Sequence, residues 1–128
     1  MSGAGPGGGD GTGADDAEPA SHAARGVALY NAGRYWEAHE ALEVAWRAAR
    51  PPEKDRWQGL ILAAAAMLHR ERGNRHGLVT QGGLAVRKLE GPPLPGFPVE
   101  TARFLQDLRR CVEAGGPVPA MELRAKDP

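Results

Sequence analysis

Two histidines and two glutamates stand at spacings that would let them work together on a pair of helices. In the run Glu37-Ala38-His39-Glu40-Ala41-Leu42-Glu43-Val44-Ala45-Trp46, His39 and Glu43 are four residues apart, and so share one helical face. Gln58 and His69 are the polar ends of an apolar stretch and lie eleven residues apart, close to three full turns, on a face of their own. Two histidines and one carboxylate can bind zinc and leave a coordination position open. His39, Glu43 and His69 are therefore the candidate ligands for a single divalent metal, with Glu40 as base or outer partner. A zinc-protease helix would need a second histidine where Glu43 stands, and a di-iron bundle would need a carboxylate where the third helix has Ala65 and Ala66. The same residues read more plainly as a hydrogen-bonded network, with His39 sharing a proton with Glu43 and Trp46 or Gln58 donating nearby. A third reading makes His39, Glu40, Glu43, Trp46, Gln58 and His69 the lining of a pocket for a small ligand or a partner. The structural network is the first expectation, the ligand or partner pocket the second and the metal the third; no cofactor is required. There is no phosphate-cradling glycine loop and no nucleophile elbow, and the only serines are Ser2 and Ser21, so the expectation leans away from an enzyme.

Positioning these side chains takes helices, and the punctuation of the chain supplies them. A first helix is expected from Ser21, as N-cap, to Asn31, stopping at Ala32-Gly33. A second runs from Arg34 to Arg50 and ends at Pro51-Pro52. A third opens on Glu53-Lys54-Asp55, with acids at the positive end of the dipole, and reaches Arg72 before Gly73-Asn74. A fourth covers His76 to Glu90, where Gly82-Gly83 imply a close crossing or a local break. After the proline-rich stretch Gly91 to Pro98, a fifth runs from Val99 to Ala114, with Leu105, Leu108 and Val112 at helical spacing, and stops at Gly115-Gly116. The third helix is apolar almost all round, which marks it as central and buried. On the second, Tyr35, Ala38, Leu42, Ala45 and Ala49 face inward, with Trp46 at the edge of that stripe. At about 100° per residue, His39 then falls half-buried, Glu43 at the boundary and Glu40 nearer solvent. The short Pro-Pro link makes the second and third helices antiparallel neighbours, bringing His39 opposite Ala65 to His69 and Trp46 opposite Gln58.

The run from Tyr30 to Arg47 resembles the signature of a bacterial and archaeal family, domain of unknown function 309: aromatic-Asn-x-Gly-x-aromatic, then Glu-Ala-His-Glu-x-x-Glu-x-x-Trp. Gln58-Gly59-Leu60-Ile61, Ala64-Ala65, His69 and Gly73-Asn74 are similar to its third-helix pattern. The resemblance covers Val27 to Leu89, with departures at Leu78, where a small residue is usual, and at Gly82-Gly83. It implies a compact helical fold of bacterial origin and no established activity.

Composition sets the outer bounds. The 128 residues carry 16 Lys and Arg against 16 Asp and Glu. Residues 1–20 hold 7 of the 18 glycines, four acids and no base, too little apolar surface to offset the entropy of ordering, and read as a disordered acidic tail. The remainder therefore carries a net charge of +4, and the division expected is tail 1–20, helical domain 21–116 and flexible C-terminal segment 117–128. The fold class is all-α, a compact bundle of about five helices around a central apolar one. The longest apolar stretch, Gly59 to Leu68, is about half of what a membrane span needs, so no membrane association and a cytoplasmic location are expected. Arg70, Arg72, Arg75 and His76 cluster at the end of the third helix, with Arg87 and Lys88 on the fourth; without a stacking aromatic among them they read as a solvated face, and nucleic acid is disfavoured as a partner. The single cysteine, Cys111, reads as a small buried hydrophobe. Gly33-x-Tyr35-x-x-Ala38-x-x-x-Leu42-x-x-Ala45 followed by Pro51 also looks like one tetratricopeptide helix pair, which keeps a protein-interaction module as the alternative function. That signature does not recur one repeat further on.

Overall fold

The computed structural model describes residues 19–124; the expected tail up to residue 18 and the last four residues lie outside it. Five helices follow in order: α1 Pro19–Asn31, α2 Tyr35–Ala48, α3 Glu53–Glu71, α4 Arg75–Leu89 and α5 Ala102–Ala114. Among the described residues, the nearest approach to a sheet is one isolated antiparallel bridge between Val99 and Leu123. The all-α expectation holds.

Local chemistry explains most boundaries. α1 opens at Pro19, so Ser21 lies inside the helix and is not its N-cap. The turn after α1 is made by Gly33 at φ 80°, a left-handed conformation that costs a glycine nothing. α2 stops at Ala48, ahead of Pro51-Pro52. α3 carries Glu53 and Asp55 in its first turn and ends at the left-handed Gly73. The Asn74 side chain caps α4 by accepting from the Gly77 amide at 3.0 Å. Gly82-Gly83 do not break α4: Gly82 is where the side chain of Val112 presses in from α5, while Gly83 faces open space. Val99, Glu100 and Thr101, expected in the last helix, lie outside it, and Glu100 caps α5 by accepting from the Ala102 and Arg103 amides at 2.8 and 3.2 Å.

The core sits around α3. Leu60, Ala63, Ala64, Ala66 and Met67 are buried there with Ala38, Leu42 and Ala45 of α2, Ala85 and Leu89 of α4, and Phe104, Leu108 and Cys111 of α5. α1 closes on α2 at Gly26, where a Cβ would come within 2.7 Å of the Leu42 side chain. Beneath the proline-rich loop, Trp57 packs on Phe97 with ring centroids 4.6 Å apart, and the buried Arg56 donates to the Pro92 carbonyl at 2.7 Å. Burial pushes the Cys111 thiol up, and the Arg70 guanidinium only partly offsets this, as suits a packing role.

Residues 117–124, expected to be a flexible end, form an extended strap instead. Asn31 holds the strap from both sides of one residue: its amide donates to the Met121 carbonyl at 2.8 Å and its oxygen accepts from the Met121 amide at 3.0 Å. Tyr30 donates to Pro119 at 2.7 Å, the Glu100 amide donates to Glu122 at 2.8 Å, and Arg124 donates to Pro98 and Phe97. Met121 is buried as a result. Backbone groups leaving α5 without helical partners are thus satisfied by distant elements, which is why the segment orders at all.

Two tests follow from the strap. Asn31→Ala removes both bonds to Met121 and should lower unfolding free energy by about 1–3 kcal/mol in denaturant titrations. Burial also pushes the Tyr30 hydroxyl far above its ordinary value, so the folded state holds that proton more tightly than the unfolded chain. Stability should therefore be intact below about pH 10 and fall as pH rises beyond it. Tyr30→Phe should flatten that fall in melts recorded across alkaline pH.

Candidate functional site

The residues singled out by spacing fall on one side of the bundle. α3 is so deeply buried that its outward face narrows to a half-buried stripe, Gln58, Leu62, Ala65 and His69. α2 borders this stripe along one edge. At one end Lys54 donates to the Trp46 carbonyl at 2.9 Å and sits 4.4 Å from the centre of its ring. At the other end the Tyr35 hydroxyl, pushed up first by burial, feels Glu71 and Arg70 at the end of α3. α4 borders the opposite edge: a Cβ on Gly59 would meet Leu89 and Lys88, Lys88 pairs with Asp55 at 3.4 Å, and Gly77 backs directly onto the His69 ring.

These anchors set the register of three antiparallel helices. Trp36, His69 and Gly77 lie at one level, then His39, Ala65 and Gln81, then Glu43, Leu62 and Leu84, then Trp46, Gln58 and Lys88. The result is a shallow trough with α3 as its floor. Ala65 leaves its middle low, while Trp36 (57% exposed) and Leu84 (42% exposed) stand on its two rims.

Within the trough, His39 and Glu43 are half-buried and Glu40 is exposed, as helical phase predicts. His39 Nδ1 stands 4.0 Å from Glu43 Oε1, beyond hydrogen-bond range, and is buried with no partner. Glu43 in turn lies 3.7 Å from Arg47. The His39 ring is stacked on Trp36, with centroids 5.4 Å apart and planes 12° from parallel. Trp46 is engaged by Lys54, and Gln58 stands on the α3 floor at the same level.

His69 is committed elsewhere. The Asn74 amide lies 3.0 Å from its Nδ1; because Asn74 Oδ1 already accepts from Gly77, the amide nitrogen faces the ring and donates, leaving the His69 proton on Nε2. His69 therefore belongs to the corner between α3 and α4, held there by the missing side chain of Gly77. Among the described residues no group of three His, Cys, Asp or Glu side chains is placed to hold a metal ion. His39, Glu43 and His69 share the trough without converging on one point.

Sequence reasoning missed the α4 side of the trough, namely Gln81, Leu84 and Lys88, and missed Lys54 as the partner of Trp46. The small residues Gly59 and Gly77 were the available signal, since each marks a point where α4 must approach α3 closely.

A five-helix all-α bundle with an open trough over its central helix is the class of protein that fold and site define. Residues 23–81 match the family described as Domain of unknown function (DUF309), so the resemblance seen in the His-Glu-x-x-Glu-x-x-Trp motif holds across α1, α2, α3 and the first half of α4. The match ends just before Gly82-Gly83. No curated protein and no solved structure is matched by the chain. No helix among the described residues is long and apolar enough to cross a membrane.

The tight seat of His69 gives a direct test. A Cβ added at Gly77 collides with the imidazole, so Gly77→Ala should destabilise the fold by about 1–3 kcal/mol. The His69 ring resonances in an NMR spectrum should shift with it.

Proposed function

We propose that this protein is a protein-interaction module, and that the trough formed by α2, α3 and α4 is its docking surface. The observation that carries this reading is Trp36, exposed over 57% of its surface yet held flat against His39. A large aromatic ring already fixed by a neighbour loses little freedom on binding, and such rings dominate the energetics of interfaces. Around it the trough has the make-up of an interface: an apolar floor of Leu62 and Ala65, the exposed Leu84 on the opposite rim, and the polar side chains of Glu40, Glu43, Arg47 and Lys88 about them.

A closed polar network is the competing reading of the same residues, and it rests on the His39–Glu43 pair. At 4.0 Å that pair does not share a hydrogen bond, and Trp46 turns to Lys54 instead of joining it. The small-ligand reading draws on the same six residues and the metal reading on His39, Glu43 and His69, but their spread over successive helical levels suits an extended surface better than a single point of coordination.

A photo-cross-linking amino acid placed at position 36 or 84 tests the module reading. On irradiation in an extract of the cells that make the protein, both positions should give defined protein adducts, and exposed position 113 on α5 should give none. Absence of adducts from positions 36 and 84, or equal labelling at position 113, overturns it. Trp36→Ala, at an exposed site, should leave unfolding free energy within about 0.5 kcal/mol of the parent while abolishing the adduct at position 84.

A further inference from the structure

We infer that the seat of the strap is a peptide-binding site, filled in cis by the protein's own residues 117–124 and open to an extended segment of another protein when they leave. It draws nothing from the trough. Tyr30 donates to the Pro119 carbonyl, and the Asn31 side chain donates to the Met121 carbonyl and accepts from the Met121 amide. The Glu100 amide donates to the Glu122 carbonyl and the Arg124 amide to the Pro98 carbonyl, around the antiparallel bridge between Val99 and Leu123. All five bonds go to main-chain groups of the strap, which any extended segment possesses. The Asn31 amide uses its donor and its acceptor on one residue, as a neighbouring strand would use its own amide and carbonyl. That is recognition by strand addition, in which main-chain bonds hold the ligand and seats for alternate side chains select it. The seats are visible too: Pro119 and Met121 are buried, while Ala120 and Glu122 face out with a period of two. Arg124 adds one side-chain bond at the far end, to the Phe97 carbonyl at 3.0 Å. The ligand is therefore an extended segment with apolar residues two apart, the second unbranched like methionine, and a base three residues further on.

The strap is held along a line and not across its width. On one flank Val118, Pro119 and Ala120 border a cleft against Gly33 and Tyr35 of the α1–α2 turn. On the other flank the same three residues border a cleft against Arg103, Asp107 and Arg110 of α5. A segment packed like the helices would close both. The chain leaves α5 through Gly115, left-handed at φ 70°, and Gly116, a link with little steric resistance to turning. Tyr30 and Asn31 lie within residues 23–81 that match the family, and the strap lies beyond them, so this part of the seat and its occupant are separable in the sequence. A short link keeps the strap at a high local concentration, in the millimolar range, over its seat. A free peptide therefore meets a seat that is mostly filled, and its apparent affinity falls by the fraction of time the seat is empty.

Fluorescence anisotropy on the full chain, with a labelled peptide of the strap sequence from Gly116 to Arg124 as probe, is the test. Met121→Asp in the full chain sets a charge where a buried thioether sits and so empties the seat. That chain should bind the peptide at least about tenfold more tightly than the parent. Adding Asn31→Ala removes the clamp and should weaken binding about tenfold. A peptide carrying Met121→Asp should not bind. Hydrogen exchange on the parent keeps the inference testable if Met121→Asp unfolds the chain. The Met121 and Arg124 amides should exchange through an opening about a hundredfold more populated than the one that frees the Leu108 amide of α5, and excess peptide should speed them further. Equal affinity of the parent and a folded Met121→Asp chain overturns the inference. So does binding indifferent to Asn31→Ala, or strap amides that exchange no faster than Leu108. A dimer of the parent that the peptide dissociates makes the occupant a second copy's strap and overturns the assignment to another protein.

Discussion

The burial of α3 is the constraint from which the other features descend. Nine of its nineteen residues are buried, spread around most of its circumference, so the remaining helices must wrap it on nearly every side. That wrapping is possible because α3 offers Gly59, Ala63, Ala64 and Ala66 at the points of closest approach, and because α4 answers with Gly77 opposite His69. What escapes coverage is the stripe from Gln58 to His69, and the trough exists because α2 and α4 stop on either side of it. The same close packing that supplies the apolar stabilisation of the core therefore also shapes the surface given to binding.

Stability and binding are divided between separate parts of the bundle. The strap 117–124 is fastened to α1 by Tyr30 and Asn31 and to the segment before α5 by main-chain hydrogen bonds. The loop that precedes α5 is fastened by Arg56 and by the Trp57–Phe97 pair. These bonds satisfy chain that would otherwise be irregular and exposed, and they leave the trough on α2, α3 and α4 free. Among the described residues, the buried polar atoms left without partners include His39 Nδ1 on α2.

Much of this was legible in the residues. The graded exposure of His39, Glu43 and Glu40 follows from helical phase alone, because α2 is a regular helix with one inward stripe. The centrality of α3 follows from its lack of a polar face, and the left-handed turns at Gly33, Gly73 and Gly115 follow from glycine chemistry. The fate of His69 was not legible. Phase places it on the outer face, but whether it turns to α2 or to α4 depends on Gly77 making room and Asn74 offering an amide, both contributed by an element whose own orientation is set by packing. The strap was hidden for a related reason. Gly-Pro-Val-Pro carries no periodicity, and its order derives from Asn31, some ninety residues away.

The sequence by itself therefore determined the all-α class, the order of the helices, the central place of α3 and which side chains of α2 stand at the boundary of the core, since each of these depends on local periodicity and on the few residues that stop a helix. Tertiary structure alone decided which boundary residues face one another. It drew His69 to α4 and away from His39, set the α4 residues Gln81, Leu84 and Lys88 along the trough, and folded the C-terminal segment back onto α1. Those outcomes depend on contacts between residues far apart in the chain, where a single missing side chain, as at Gly59 or Gly77, settles which neighbour fits.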